Sequence, residues 1–493
     1  MSYRQSPALI GDRGILPLAS TLSQPRPPRR PLLSVFRLLP APYDRHLRSL
    51  ALLGMCVSLL QLFLGAASAL SISALLVLHV SHLSVGGAFY AFGWESLLYE
   101  CLFLSLFASP ALSLGQLPNL AVPWAPVWLF RWLLFRVMLG SGLIKFRSGD
   151  AKWSLGKLTA MDHFYETQPV PNPLSRYLHG LPRAYHKFEV LANHFIELVL
   201  PFFLLLPSPK YRVPAALANI LFQAVLVAGG NLSYLNWLTV VPALWCLDDS
   251  VVAPLFGAGA RYRAQLAEYL VATGAWSWSA RSVVNGALLV GVAVLSVPVV
   301  RNLLSKDQVM NASFDRFRLV SSYGAFGTVA AERTELVVLG ADAAEGPWKE
   351  YRFKVKAGDV NKKPRFISPY HYRLDWCMWI AQFAPAERNP WLYRFMLKLM
   401  DNDGSIDSLL ERGRGNPFAG RDEGPKYIRV ERWKYSFATG SGAEADALPG
   451  EVEYGDVWRR ERLGSYAPKQ GVFDRVLLED TIASFDEVRD AKT

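Results

Sequence analysis

The chain has 493 residues, 51% of them hydrophobic, with mean hydropathy +0.17 and a formal net charge of +11. That balance excludes an ordinary soluble enzyme. Residues 1–301 hold 23 Lys/Arg against 12 Asp/Glu, while residues 302–493 hold 29 of each, so the whole net charge lies in the apolar half. A positive-inside bias beside membrane segments explains this excess better than nucleic-acid binding does, and no nucleic-acid partner is expected.

Residues 1–47 are Arg-rich, carry Pro25, Pro27, Pro28 and Pro31, and lack a signal-peptide cleavage pattern. They read as a disordered basic cytosolic arm ahead of a signal anchor; the alternative is an organelle transit peptide. A bilayer core takes about 20 apolar residues in a helix. Candidate spans lie at 48–70, 94–115, 124–145, 188–206, 213–230, 234–247 and 283–301, and the apolar stretch 71–83 reads as a half-span. The predicted fold is therefore an α-helical multi-pass bundle of about seven spans over 48–301. A soluble α+β domain containing a sheet follows over 302–493. Seven crossings from a cytosolic arm place that domain in a lumen. Lys210 and Arg212 fit a cytosolic loop on this count, whereas the six basic residues of loop 146–187 pull against it. That loop is long and aromatic (Trp153, Phe164, Tyr165, Tyr177, Tyr185), which suits a structured cap at the membrane surface.

Beyond Arg301 the periodicity changes. Alternation predicts strands at 334–339, 351–356 and 426–437, and helices at 372–383 and 390–400, with Pro390 in a first turn. Residues 438–452 read as a flexible Gly/Ala/acidic insertion.

Charged residues inside a span cost on the order of 2.5–3.5 kcal/mol each and need a partner or a wet cavity. Arg131, Arg136 and Lys145 lie in the third span, and Glu189, His194 and Glu197 in the fourth. Arg136 and Glu197, both near mid-span, are expected to pair, and Glu95 and Glu100 to meet Arg131. A buried ion-pair network and a polar ligand cavity both account for such a set. Cys56, Cys101, Cys246 and Cys377 form neither a CxxC pair nor a zinc knuckle. His163, His179, His186 and His194 lack HExxH spacing, so no metal site is expected. Residues 149–158 imitate a P-loop with the wrong glycine spacing, and Asp401-Asn-Asp403-Gly404 imitates a calcium loop with Arg412 at position 12. There is no GxSxG elbow. Asn311-Ala-Ser313 is a glycosylation sequon just past the last span, and Asn231-Leu-Ser233 is a second between two apolar segments.

Several stretches resemble the lipase maturation factor family. They are Arg131-Trp-Leu-Leu-Phe-Arg136 running on to Lys145, His163-Phe-Tyr165-Glu166-Thr-Gln168, Arg373-Leu-Asp375-Trp376-Cys-Met-Trp379, Asn389-Pro-Trp391 and Tyr427–Tyr435. The resemblance spans roughly residues 50–480, and the membrane half is also similar to the transmembrane domain of vitamin K-dependent carboxylases. It implies a multi-pass endoplasmic reticulum protein that assists secreted lipases to fold, with a lumenal C-terminal domain, no catalytic residues and no cofactor. Secreted lipases and membrane lipid are the implied partners. His163, Tyr165, Glu166 and Gln168 mark a candidate functional loop. Arg373, Asp375, Trp376 and Trp379 mark a structural or client-facing surface, and the sheet at 334–356 offers an edge for strand addition. The competing class is a membrane enzyme or small-molecule binder built on Arg136, Lys145, His163 and Glu197.

Overall fold

The computed structural model describes residues 1–23, 33–113, 121–272, 280–438 and 452–490. The expected insertion at 438–452 falls almost wholly outside these residues. The membrane half is helical because its apolar runs bury their own backbone polar groups. Tyr43–Leu64 ends on Gly65 in the left-handed conformation. Ser68 and Ser71 then form a reciprocal capping box that starts Ala69–Val85, so the stretch read as a half-span is a 17-residue helix. Trp124–Arg147 is the central helix, with 72% of its most apolar window buried inside the protein, against 6% for Tyr43–Leu64. Two glycines let neighbours approach it. A Cβ at Gly140 would lie 2.3 Å from the carbonyl oxygen of Tyr323, and one at Gly142 would lie 2.7 Å from Leu198.

Seven spans are not what the helices show. Four described helices are long and apolar enough to cross a membrane: Tyr43–Leu64, Trp124–Arg147, Pro209–Gly229 and Ser282–Leu304. A fifth results if Leu235–Leu244 and Asp249–Leu255, bent by 116°, count as one. The expected span 94–115 is shorter, at Gly93–Ala108. The expected span 188–206 is interrupted: Arg183–His194 passes into a π-helical turn, Phe195–Val199, before Leu200–Leu204. Pro201 lacks the N–H that would bond the Glu197 carbonyl, so the ladder shifts and the Leu200 amide reaches back to Phe195 O.

The first residues depart furthest from expectation. Ser2–Ile10 is a helix rather than part of a disordered arm, and its Gln5 to Ile10 face is buried. Gln5 Nε2 donates to His371 O at 2.7 Å, the Arg373 amide donates to Gln5 Oε1 at 2.9 Å, and Arg13 pairs with Asp403 at 3.1 Å. This segment thus sits against the C-terminal half.

The C-terminal half holds a five-stranded antiparallel sheet in the order β2-β1-β3-β5-β4: β1 Arg333–Ala341, β2 Lys349–Glu350, β3 Tyr427–Phe437, β4 Val452–Tyr454 and β5 Trp458–Ala467. Arg373–Ala381 and Pro390–Met400 are helices, as the pattern predicts. The strand expected at 351–356 is absent because side chains claim its backbone. Asp375 Oδ1 accepts from the amides of Val355 (2.6 Å) and Lys356 (3.0 Å), and Lys362 Nζ donates to Phe353 O at 2.6 Å. One hydrophobic cluster runs from Phe130 and Leu133 in the central helix to Leu336, Trp376 and Phe395 beyond it, so the two halves share a core.

Candidate functional site at the seam between the halves

The intramembrane charges are joined in pairs, though not those expected. Arg136 pairs with Glu100 rather than Glu197 and also donates to Ser321 O at 2.7 Å, while Tyr323 OH donates to Glu100 Oε2 at 2.8 Å. Lys145 takes Glu197 at 2.5 Å, donates to Ser141 O at 3.3 Å and lies over the Trp153 ring. The displaced ladder of the π turn sets Glu197 there. Arg131 meets neither Glu95 nor Glu100; its Nε donates to Trp245 O at 3.3 Å and its guanidinium lies over Trp128. His194 bonds Trp153 O at 2.8 Å, and Glu189 accepts from Tyr165 OH at 2.6 Å. Burial and that carboxylate together push the Tyr165 phenol up from its ordinary range.

The loop residues form a seam with the sheet. Gln168 Nε2 donates to Tyr165 O, Ser175 Oγ and Gly229 O. Glu166 Oε2 accepts from the Phe437 amide at 2.8 Å, fastening the end of β3. Arg333, at the start of β1, donates to the carbonyls of Glu166 (2.9 Å), Gln168 (2.5 Å) and Pro169 (3.1 Å). Its guanidinium also pairs with Glu335, which takes Lys356 at 3.1 Å. His163 is half-buried, and its carbonyl accepts from Thr167 Oγ1. Among the described residues no group of three His, Cys, Asp or Glu is placed to hold a metal ion.

The second seam is made by the helix Arg373–Ala381. Arg373 donates to Glu95 Oε1 at 2.6 Å and Phe89 O at 2.8 Å, and lies 3.7 Å over the Tyr90 ring. Trp376, Trp94, Phe92 and His371 form one aromatic cluster. His371 is fully buried there with neither ring nitrogen hydrogen-bonded among the described residues. Burial, reinforced by the Arg373 charge, holds it well below the ordinary histidine range. Burial raises the Asp375 carboxyl, and the two amides it accepts from oppose that rise. Trp376 is therefore core, and Trp379 is half-buried against Phe383. Asn311 is exposed, and its Nδ2 donates to Gly324 O at 3.1 Å.

Sequence reasoning missed Asn231, Gln5, Arg333 and the true partner of Glu95. Asn231, noticed as a sequon, is fully buried. Its Nδ2 donates to Pro171 O and Arg365 O, and its Oδ1 accepts from the amides of Ile367 and Ser368. The one available signal was Arg333-Thr-Glu335, a charge pair two apart and hence on one face of a strand.

These features define a class: a helical membrane platform to which an antiparallel sheet domain is bolted by buried polar side chains. Comparison narrows it. The family described as "Lipase maturation factor transmembrane domain" matches residues 1–254, and "Lipase maturation factor C-terminal domain" matches residues 319–468. The chain is 44% identical over 492 residues to lipase maturation factor 1 of Bos taurus, covering 95% of this chain and 85% of that protein. It is 43% identical to the Homo sapiens counterpart (95% and 84%) and 27% identical to lipase maturation factor 2 of Gallus gallus (96% and 79%). No solved structure matches it. The chain belongs to the lipase maturation factor family.

Proposed function

We propose that this protein is a non-catalytic factor of the endoplasmic reticulum membrane that brings secreted lipases to their active form. The observation that carries the reading is similarity over 95% of the chain to proteins named for lipase maturation. The polar chemistry supports its non-catalytic side. Arg136, Lys145, Glu100 and Glu197, which the competing cavity-based reading would use or adjoin, are each taken up by direct pairing and buried. Deleting the gene should leave the lipase present in cells but inactive and retained. Unchanged secreted lipase activity would overturn the proposal.

The sheet domain faces the lumen in this reading, and residues 2–23 share that side because they pack on it. An even number of crossings then lies between them, which the four long apolar helices Tyr43–Leu64, Trp124–Arg147, Pro209–Gly229 and Ser282–Leu304 satisfy. Strand addition by a client does not suit β1, which pairs with β3 on one side and β2 on the other and is buried along nearly its whole length. It suits β5 better. Among the described residues β4 pairs only with Arg459–Glu461, and the following residues 462–465 are largely exposed on that outer edge.

A further inference from the structure

A cleft of about 630 Å³ opens where the N-terminal helix, the start of Tyr43–Leu64 and the sheet domain meet. Five cations line it: Arg4, Arg48, Lys354, Arg412 and Arg414. None of the five makes an ion pair within 4.0 Å among the described residues, which is unlike the paired charges elsewhere in the protein. Two carboxylates share the cleft. Glu411 is already neutralised by Lys362 at 3.1 Å, and Asp407 accepts from Asn416 at 3.2 Å. Lys354 lies over the Tyr372 ring, and its ammonium is held below the ordinary lysine range by burial first and by the nearby Arg4 charge. Cations drawn from four separated stretches of chain thus line one cleft and outnumber its carboxylates, an arrangement an anion would relieve.

The cleft does not end there. Tyr3 and Arg48 also line a second groove, of about 360 Å³, with Asp44, Arg45, Ser49 and Leu52. That groove runs onto Tyr43–Leu64, the least covered of the four long apolar helices, with Leu53, Leu60 and Phe63 exposed. Asp44 is partly occupied there, accepting from the Asp12 amide. Basic residues in the first turns of a span lie at headgroup depth, with the acyl region one or two turns further on.

We propose that this cleft binds the phosphate of an anionic glycerophospholipid, its acyl chains lying along Leu52 and the outer face of Tyr43–Leu64. The lipid then clamps the N-terminal helix, the first span and the sheet domain together. A phosphate group supplies several acceptor oxygens for forked guanidinium donors, and the two tyrosines, Tyr370 and Tyr372, close one wall.

The test uses the full chain purified in detergent and titrated with dioleoyl phosphatidylserine, dioleoyl phosphatidylcholine or inorganic phosphate. Thermal unfolding and native mass spectrometry provide the readouts. Phosphatidylserine should raise the unfolding midpoint and add a resolved lipid mass, with phosphatidylcholine and phosphate much weaker. Arg48→Ala with Arg414→Ala, both exposed and unpaired, should leave the lipid-free midpoint unchanged and weaken phosphatidylserine binding at least about tenfold. Equal shifts with phosphatidylcholine, or an unaltered phosphatidylserine response in the double variant, would overturn the proposal. A response to inorganic phosphate without one to phosphatidylserine would overturn the lipid assignment.

Discussion

Buried charge is handled differently at the Lys145–Glu197 pair of the membrane bundle and at the seam between the halves. In the bundle, Lys145 and Glu197 satisfy one another side chain to side chain. At the seam, Arg333 reaches three backbone carbonyls of loop 166–169, Asn231 holds four backbone groups, and Arg373 adds the Phe89 carbonyl to its ion pair. A side-chain pair is exchangeable, because two apolar residues of similar volume can replace both partners. A side chain that satisfies another segment's backbone is not, because the backbone groups stay behind unpaired when it is removed. The seam should therefore tolerate substitution less well than the Lys145–Glu197 pair.

The largest effect should come from Arg373→Ala. It leaves Glu95 buried and uncompensated and strips the Phe89 carbonyl, costing about 3–5 kcal/mol of stability. The outcome should be visible as loss of the folded protein in a thermal unfolding or limited-proteolysis assay. The second test separates the two regions directly. Lys145→Met alone should cost a comparable amount, about 3 kcal/mol, whereas Lys145→Met with Glu197→Leu should recover most of it. A double variant as unstable as the single one would show that the bundle pair does more than satisfy itself, and the comparison above would fail.

The smallest effect is a pH dependence. The folded protein holds His371 below its ordinary value, so the unfolded chain binds the proton more tightly. The stability tied to this residue is complete at neutral pH and falls as pH drops below about 6.5. His371→Phe, which keeps an aromatic ring beside Phe92, Trp94 and Trp376, should flatten the dependence of the unfolding midpoint between pH 7 and 5. An unchanged slope would mean that His371 is hydrated or protonated where it lies.

Much was legible one segment at a time. The helices Arg373–Ala381 and Pro390–Met400, the strands at 334–339 and 426–437, and most helices of the bundle follow from local periodicity and end signals, which act over a few residues. The motifs around His163–Gln168 and Arg373–Trp379 were recognisable as a family resemblance. What those residues do was not recognisable, because each acts on something distant. Arg373 meets Glu95 from 278 positions away, and Arg333 meets Glu166 from 167 positions away. A charge in a sequence shows that a partner is needed but not which one. Arg136 was therefore assigned to Glu197 when Glu100 lay nearer in space.

The sequence by itself determined the two-part character of this protein. Apolar runs must be helical in lipid, and alternating runs make sheet. It also determined the family, through short stretches that need no fold to be read. Only the tertiary structure decided that the halves share one core, that Ser2–Ile10 of the supposed loose arm is a helix buried against the C-terminal half, and that 351–356 is not a strand. The deciding contacts join distant segments: apolar side chains in the shared core, and side chains on another segment's backbone in the other two cases. Such contacts leave no periodic trace in either segment, so they become visible only when the chain is folded.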